Sequence, residues 1–432
     1  MKAIASWGRL SSPPHRVCTP RDPQALMHDI LAAKGPGLAY GMGRSYGDVC
    51  LNPGGDLWMT SGLDHLLEFD VATGRLLCEA GVLLRDIHQL ALPYGWMLPV
   101  SPGTQCITVG GAIANDVHGK NHHGFGNFGD HVRQLRLLRS DGQVLDCGPE
   151  LLPEWFAATL GGLGLTGVIV QVELQLRRVA GPWLDTEVCA HANLDEFFEL
   201  AATSEQEWEH TVSWIDCLAG GSGRGLFMRA RTAVDQEGAE PTPRSRSMPV
   251  VPPLSLVNSL TLRPFNFTYH QLKRWPRRRR SHYAAYLYPL DHIGHWNRLY
   301  GPQGFYQYQC VVPASVQRDA MHALLRAVAA SGQGSFLAVL KTFGQRPSPG
   351  MLSFPMPGAT LALDFPNRGA STLALFERLD AIVREAGGRL YAAKDARMPH
   401  AMFAAGYPLL PAFLPFRDPG ISSALSRRLM DE

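Results

Sequence analysis

The alternation of apolar and polar residues changes period repeatedly along the chain, and each change marks an element. Short apolar runs over 57–60, 76–80 and 97–100, bounded by turn residues, predict strands. Apolar residues spaced three and four apart over 83–92 predict a helix. Runs over 134–138 and 144–147 flank Ser140-Asp141-Gly142-Gln143, a hairpin signal. A helix over 153–160, with proline at its start, precedes an alternating strand over 168–177. Beyond these, the pattern predicts helices over 192–202, 315–330 and 371–386. It predicts strands over 212–219, 226–231, 307–313, 335–343 and 359–365, and a strand-like start at Arg389. Residues 236–253, rich in Pro, Ser and charge, predict a mobile loop. The order describes an α+β chain: one mixed domain over 1–180, a sheet-plus-helix domain over 181–388, and a return segment over 389–432.

Composition narrows this little. A chain of 432 residues is too long for one compact core, which agrees with two domains. Its 45% hydrophobic and 18% charged content is that of a soluble globular protein. With 40 Lys and Arg against 38 Asp and Glu, overall charge does not favour a nucleic-acid partner. Eight scattered cysteines form no CxxC pair, which excludes zinc ribbons and thioredoxin sites and predicts reduced thiols in a cytoplasm. The first twenty residues lack the apolar centre of a signal peptide, and no run of about 18 apolar residues predicts a spanning helix. The exception to the even charge is Lys273-Arg274-Trp275-Pro276-Arg277-Arg278-Arg279-Arg280. It reads either as a solvated loop or as a patch attracting anionic lipid headgroups, with Pro276 arguing against a long amphipathic helix.

Three glycine-rich stretches carry candidate chemistry. In Gly41-Met42-Gly43-Arg44-Ser45-Tyr46-Gly47-Asp48, glycines let several backbone N–H groups face one point, which suits a pyrophosphate or else a plain turn. A second stretch runs from Gly103 through Thr108-Val109-Gly110-Gly111 to Asn115 and His118, and lets a ligand lie flat on backbone. It leads into Lys120-Asn121-His122-His123, where the histidines lack the HExxH spacing of a metal site. The third, Gly162 to Gly167, matches GxGxxG, but a helix precedes it and a strand follows. That inverts the Rossmann context and excludes a nicotinamide site.

These three runs resemble the FAD-binding half of the vanillyl-alcohol-oxidase (PCMH-type) superfamily. Together with YPLDHIGHWNRLYGPQGFYQYQ, LSFPMPG, LDFP and GGRLYAAKDAR, they resemble its decaprenylphosphoryl-β-D-ribose oxidase group along nearly the whole chain. The resemblance implies a two-subdomain FAD-binding domain, a substrate domain on an antiparallel sheet with flanking helices, and a C-terminal return to the first domain. It implies FAD held by Gly41, Gly43, Arg44, Ser45, Tyr46, Gly47 and Asp48, and by Gly103, Thr108, Val109, Gly110 and Gly111. Asn115, His118, Ile169 and Tyr391 would approach the flavin. Covalent members carry histidine where this chain has Arg44, so the FAD is expected to be non-covalent. Lys394 and His118 become the catalytic candidates, and Gln307, Gln309, Lys341 and Lys394 the substrate contacts. Against these roles stand surface exposure for the lysines, strand polarity for the glutamines and a structural buried ring for His118. Ala362, Thr360 and Leu287 depart from the group's cysteine, asparagine and tyrosine, which affects the substrate pocket rather than the flavin. The implied partners are a polyprenyl-phosphate sugar, a separate NAD(P)H-dependent keto-sugar reductase and a peripheral membrane contact at the inner face. A soluble alditol or sugar-lactone oxidase, and a non-catalytic lipid- or metal-binding module, are the competing readings.

Overall fold

Three sheets hold most of the strands in the computed structural model, which describes residues 1–236, 238, 246–275 and 277–430. The first orders Lys2–Ala3, Pro14–Cys18, Asp56–Met59 and Gly37–Tyr40, with parallel pairing of Asp56–Met59 to both neighbours. The second is antiparallel, in the order Leu66–Asp70, Arg75–Glu79, Val168–Gln175, Val132–Leu138 and Val144–Cys147. Val168–Gln175 buries Val168, Ile169, Val170, Val172 and Leu174 and lies third of the five strands, so it supplies the centre of this sheet, and the expected hairpin lies beside it.

The third sheet has eight antiparallel strands: Arg277–His282, Trp183–His191, Gly225–Thr232, His210–Ile215, Ala338–Phe343, Gly358–Pro366, Phe305–Pro313 and Arg389–Leu390. Helices Leu194–Ser204, Gln317–Ser331 and Ala370–Glu385 cover one face, burying Phe197, Leu324 and Phe376 against it. Because side chains alternate along a strand, the other face is left for different work. Phe305–Pro313 sends Tyr308 against Phe376 at 5.3 Å, while Gln307 and Gln309 take the opposite face. Register sets Gln309 beside Ala362, Gln307 beside Asp364 and Lys341 beside Thr360.

Several expectations need correction. The basic run is not simply a loop. It holds the end of a helix, Ser259–Lys273, that the pattern does not predict, and an edge strand, Arg277–His282, paired with Trp183–His191. A sheet edge tolerates such charge because arginines reach into solvent and discourage further pairing. The helix escapes prediction because Leu260 and Phe267 point outward, so its apolar residues mark no single face. Pro276 lies outside the described residues, as do 237 and 239–245 of the loop expected over 236–253. The described part of that loop includes Arg246–Ser247, paired in parallel with Ile293–Gly294. The strand expected over 335–343 begins only at Ala338, and that over 97–100 is the two-residue Trp96–Met97.

The C-terminal segment returns to the first sheet. Gly37 donates to the Gly420 carbonyl at 2.9 Å, and Ser422 donates to the Gly37 carbonyl at 3.0 Å. Among the described residues, no helix is long and apolar enough to cross a membrane.

Candidate active site

A cavity of about 390 Å³ runs from the first glycine loop to the open face of the eight-stranded sheet. Gly41, Gly43, Arg44, Ser45 and Tyr46 line one end. The backbone N–H groups of Met42 to Tyr46 find no protein acceptor among the described residues, so they are available to an anion. Gly43 has φ +59°, a left-handed turn that glycine adopts without strain. Gly103, Thr108, Gly110, Gly111 and Asn115 line the next part, with Thr108 Oγ1 accepting from the Gly111 N–H at 3.1 Å. A Cβ added at Gly103 or Gly164 would meet nothing within 4 Å, which leaves backbone open to a flat ligand. Asn115 keeps a buried Oδ1 without a partner among the described residues. Unsatisfied donors at a glycine loop followed by bare backbone fit the pyrophosphate and ring of a flavin nucleotide.

The polar cluster stands where Phe305–Pro313, Ala338–Phe343 and Gly358–Pro366 meet the segment after Asn115. His118 is buried, with Nδ1 3.0 Å from Lys341 Nζ and Nε2 3.2 Å from the Gln309 side-chain nitrogen. Burial, then the Lys341 charge, lowers the His118 pKa well below its ordinary value, so the ring is neutral at neutral pH. When the Lys341 ammonium donates to Nδ1, the ring proton sits on Nε2, and Gln309 must then offer its amide oxygen. Lys341 also donates to the Gly119 carbonyl at 3.1 Å, and burial lowers its pKa to about 7, aided by the charges of Lys120 and Lys394.

Lys394 lies at the other side of the cavity, its Nζ 4.2 Å from the centre of the Tyr46 ring. Burial lowers its pKa to about 8 against the opposing pull of Asp364. Asp364 is fully buried and accepts from Gln307 Nε2 at 2.6 Å. Burial raises its carboxyl to about 7, with Gln307 and Lys394 drawing it back. Tyr391 donates to the Asn115 carbonyl at 2.9 Å and stacks on Phe354 at 4.5 Å, joining the C-terminal segment to the second glycine stretch.

The residues expected at the cofactor and the substrate therefore share one cavity, including Ile169, Gln307, Gln309 and Tyr391, with three exceptions. Gly47 packs on the C-terminal segment, where a Cβ would fall 1.5 Å from the Asp395 carbonyl oxygen. Asp48 pairs with Arg428 at 2.9 Å, and Val109 is buried in the core of the second sheet. None of the three lines the cavity, because each is spent holding the glycine stretches in place. The three departures, Leu287, Thr360 and Ala362, do line it. Leu163, Gly164 and Gly167 of the inverted GxGxxG run line it as well, between the helix Pro153–Thr159 and the strand Val168–Gln175.

Sequence reasoning gave no role to Lys120, Asp364 or Arg428. Lys120 donates to the carbonyls of Tyr286 and Leu287, and burial lowers its pKa to about 7. Its adjacency to His118, and the alternation that puts Asp364 on the face of Thr360 and Ala362, were the available signals. The ring nitrogens of His118, His122 and His123 go to different partners: Lys341 and Gln309, the Gly344 N–H, and the Trp208 carbonyl.

Residues 15–148 match the family described as FAD binding domain. The chain is 34% identical to a decaprenylphosphoryl-β-D-ribose oxidase of Mycolicibacterium smegmatis, over 99% of this chain and 97% of the relative. It is 35% identical to an uncharacterized protein of Streptomyces coelicolor, over 81% of this chain and the whole of that relative. An L-gulonolactone oxidase of Mus musculus is 32% identical over only 31% of this chain and 30% of its own length.

Proposed function

The chain belongs to the decaprenylphosphoryl-β-D-ribose oxidase family, and from that premise we propose that it oxidises the 2'-hydroxyl of a polyprenylphosphoryl-β-D-ribofuranose to the 2'-keto sugar. It is an FAD-dependent oxidoreductase acting on CH–OH groups. FAD, when bound, supplies the two-electron acceptor for the hydride leaving the carbinol carbon. The chain's own task is to hold the sugar, take the hydroxyl proton and keep water away. The observation that carries this reading is the single cavity joining the glycine loop to Lys394 and the His118–Gln309–Lys341 cluster.

In this reading Lys394, as the neutral amine, accepts the hydroxyl proton. Its lowered pKa of about 8 makes that form accessible near neutrality, and it lines the cavity. His118 is fixed on both nitrogens and serves as a rigid neutral contact rather than the base. Gln307, Gln309 and Lys341 orient the sugar hydroxyls from the sheet face. Arg44, whose guanidinium lies 4.1 Å over the Trp7 ring, stands where a covalent family member carries histidine, so FAD is held without a covalent bond. Ala362, Thr360 and Leu287 tune the fit of the lipid-linked sugar, and with no thiol at Ala362, thiol-reactive ligands find no anchor there.

Loss of C2' hydride and hydroxyl proton leaves a ketone still attached to its lipid phosphate. A separate NAD(P)H-dependent reductase, delivering hydride to the opposite face, would complete epimerisation to the arabinose donor. Such a substrate would bring the enzyme to a membrane surface, and a peripheral position at the inner face is the one proposed.

The test is anaerobic mixing of the FAD-loaded protein with a short-chain polyprenylphosphoryl-β-D-ribofuranose, followed at the flavin absorbance. Bleaching by the lipid-linked ribose and none by free alditols or sugar lactones is expected. Bleaching by the soluble sugars alone would replace this reading with that of an alditol or lactone oxidase.

A further inference from the structure

Residues 241–290 contain nine Lys or Arg and no Asp or Glu, in a chain whose overall excess is only two positive charges. The remainder of the protein is therefore net negative, and the positive charge is gathered in one region. The same region exposes large apolar side chains. Leu260 is 85% exposed, Leu254 78%, Leu272 66% and Trp275 63%. A folded surface rarely leaves so many together without a partner.

The helix Ser259–Lys273 explains how they are displayed. Asn258 caps it with hydrogen bonds from the Leu260 and Thr261 N–H groups, and Leu262 and Asn266 bury its inner face. At helical spacing, Leu260, Pro264, Phe267, Gln271 and Arg274 fall on the opposite stripe. Arg263 flanks this stripe and Trp275 follows it. Arg278 and Arg280 are turned to acids of their own sheet, Glu187 for one and Asp185 and Asp235 for the other. Arg263, Lys273, Arg274, Arg277 and Arg279 make no salt bridge among the described residues, so their charge is available to a partner.

The surface adjoins the cavity. Phe265 packs edge-on against Phe336 at 4.8 Å, and the next residue, Leu337, lines the cavity together with Pro289 and Leu290.

We infer that the outer face of the helix Ser259–Lys273, with Leu254 before it and Trp275 after it, docks the protein on an acidic phospholipid bilayer. Leucine and aromatic side chains enter the headgroup boundary, and the arginine and lysine charges meet anionic lipid. Docking brings the cavity mouth to the plane in which a polyprenyl-phosphate sugar lies, so the inference rests on the substrate proposed above. A protein partner would need an acidic surface matched to these cations, and it would leave the protein unbound to protein-free vesicles.

The test is flotation of the FAD-loaded protein with vesicles of phosphatidylcholine, with and without phosphatidylglycerol. Binding only to the acidic vesicles is expected, weakening with salt. Arg263→Ser with Arg274→Ser should lower it about fivefold for each charge removed. Leu260→Ser with Phe267→Ser should abolish it. Both variants should retain bound flavin and the wild-type rate of flavin reduction by a short-chain, membrane-free substrate, which shows that they are folded. Equal binding to neutral vesicles, wild-type binding by both variants, or retention by nucleic acid in the absence of vesicle binding would overturn the inference. Vesicle binding without flavin reduction by any lipid-linked ribose would leave the docking surface standing and remove the proposed substrate. Reduction without vesicle binding would do the reverse.

Discussion

Lys120, Lys341 and Lys394 are cations that burial has pushed toward neutrality, and they differ in what occupies their nitrogens. Lys120 is spent on the carbonyls of Tyr286 and Leu287, and Lys341 on His118 and the Gly119 carbonyl. Lys394 faces the Tyr46 ring and makes no hydrogen bond through its amine among the described residues, so in the proposed reading its amine is the one free to take a proton from a substrate hydroxyl, while Lys341 can only donate to one. Its amine form predominates above its pKa of about 8. The rate of flavin reduction should therefore climb as pH rises through about 8 and level off beyond it. Lys394→Met should lower the single-turnover rate by about 10²- to 10⁴-fold, the usual worth of a positioned base, with flavin retained. A rate that falls as pH rises through that range would assign Lys394 an electrostatic role in its protonated form instead.

At the scale of elements, Glu187 on Trp183–His191 holds the edge strand. Its carboxylate accepts from Arg278 at 2.9 Å and from Arg229 Nε at 2.9 Å. Burial would raise its pKa, but the two guanidinia outweigh burial and hold it below the usual 4.5. A depressed folded pKa contributes stability that is present above pH 4.5 and is lost as pH falls through the folded value. Glu187→Ala should cost about 1.5–3 kcal/mol in urea unfolding near neutral pH. The gap from wild type should close on acidification below 4.5, whereas an unchanged gap at low pH would deny the ion pairs their role. The same sheet shows what pattern could and could not reveal. Helices Gln317–Ser331 and Ala370–Glu385 were legible because each buries one stripe against the sheet. Trp183–His191 was not, because it buries Thr186 and Glu187 among its apolar residues, and its partners lie far along the chain.

The whole molecule assembles its site from distant segments. The glycine runs and the residues around Gln307 and Lys394 were legible because each is a contiguous motif. The pairing of His118 with Lys341, 223 positions away, was not, since only strand register brings them together. Nor was the role of the C-terminal segment in bracing the glycine loop. Arg428 reaches Asp48 at 2.9 Å and Asp395 at 3.1 Å, tying the first loop to the segment that carries Lys394. Arg428→Met should lower unfolding free energy by about 2 kcal/mol and speed flavin release, read by thermal melting and flavin fluorescence. Normal stability with normal flavin retention would show that this tie is dispensable.

The central claim is that hydride leaves C2' of a lipid-linked ribose. Its most direct test is anaerobic flavin reduction with polyprenylphosphoryl-β-D-ribofuranose carrying deuterium at C2' or, separately, at C3'. Slower bleaching with the C2' label and unchanged bleaching with the C3' label is the result the account predicts. Slowing confined to the C3' label, or no bleaching with either compound, would contradict it.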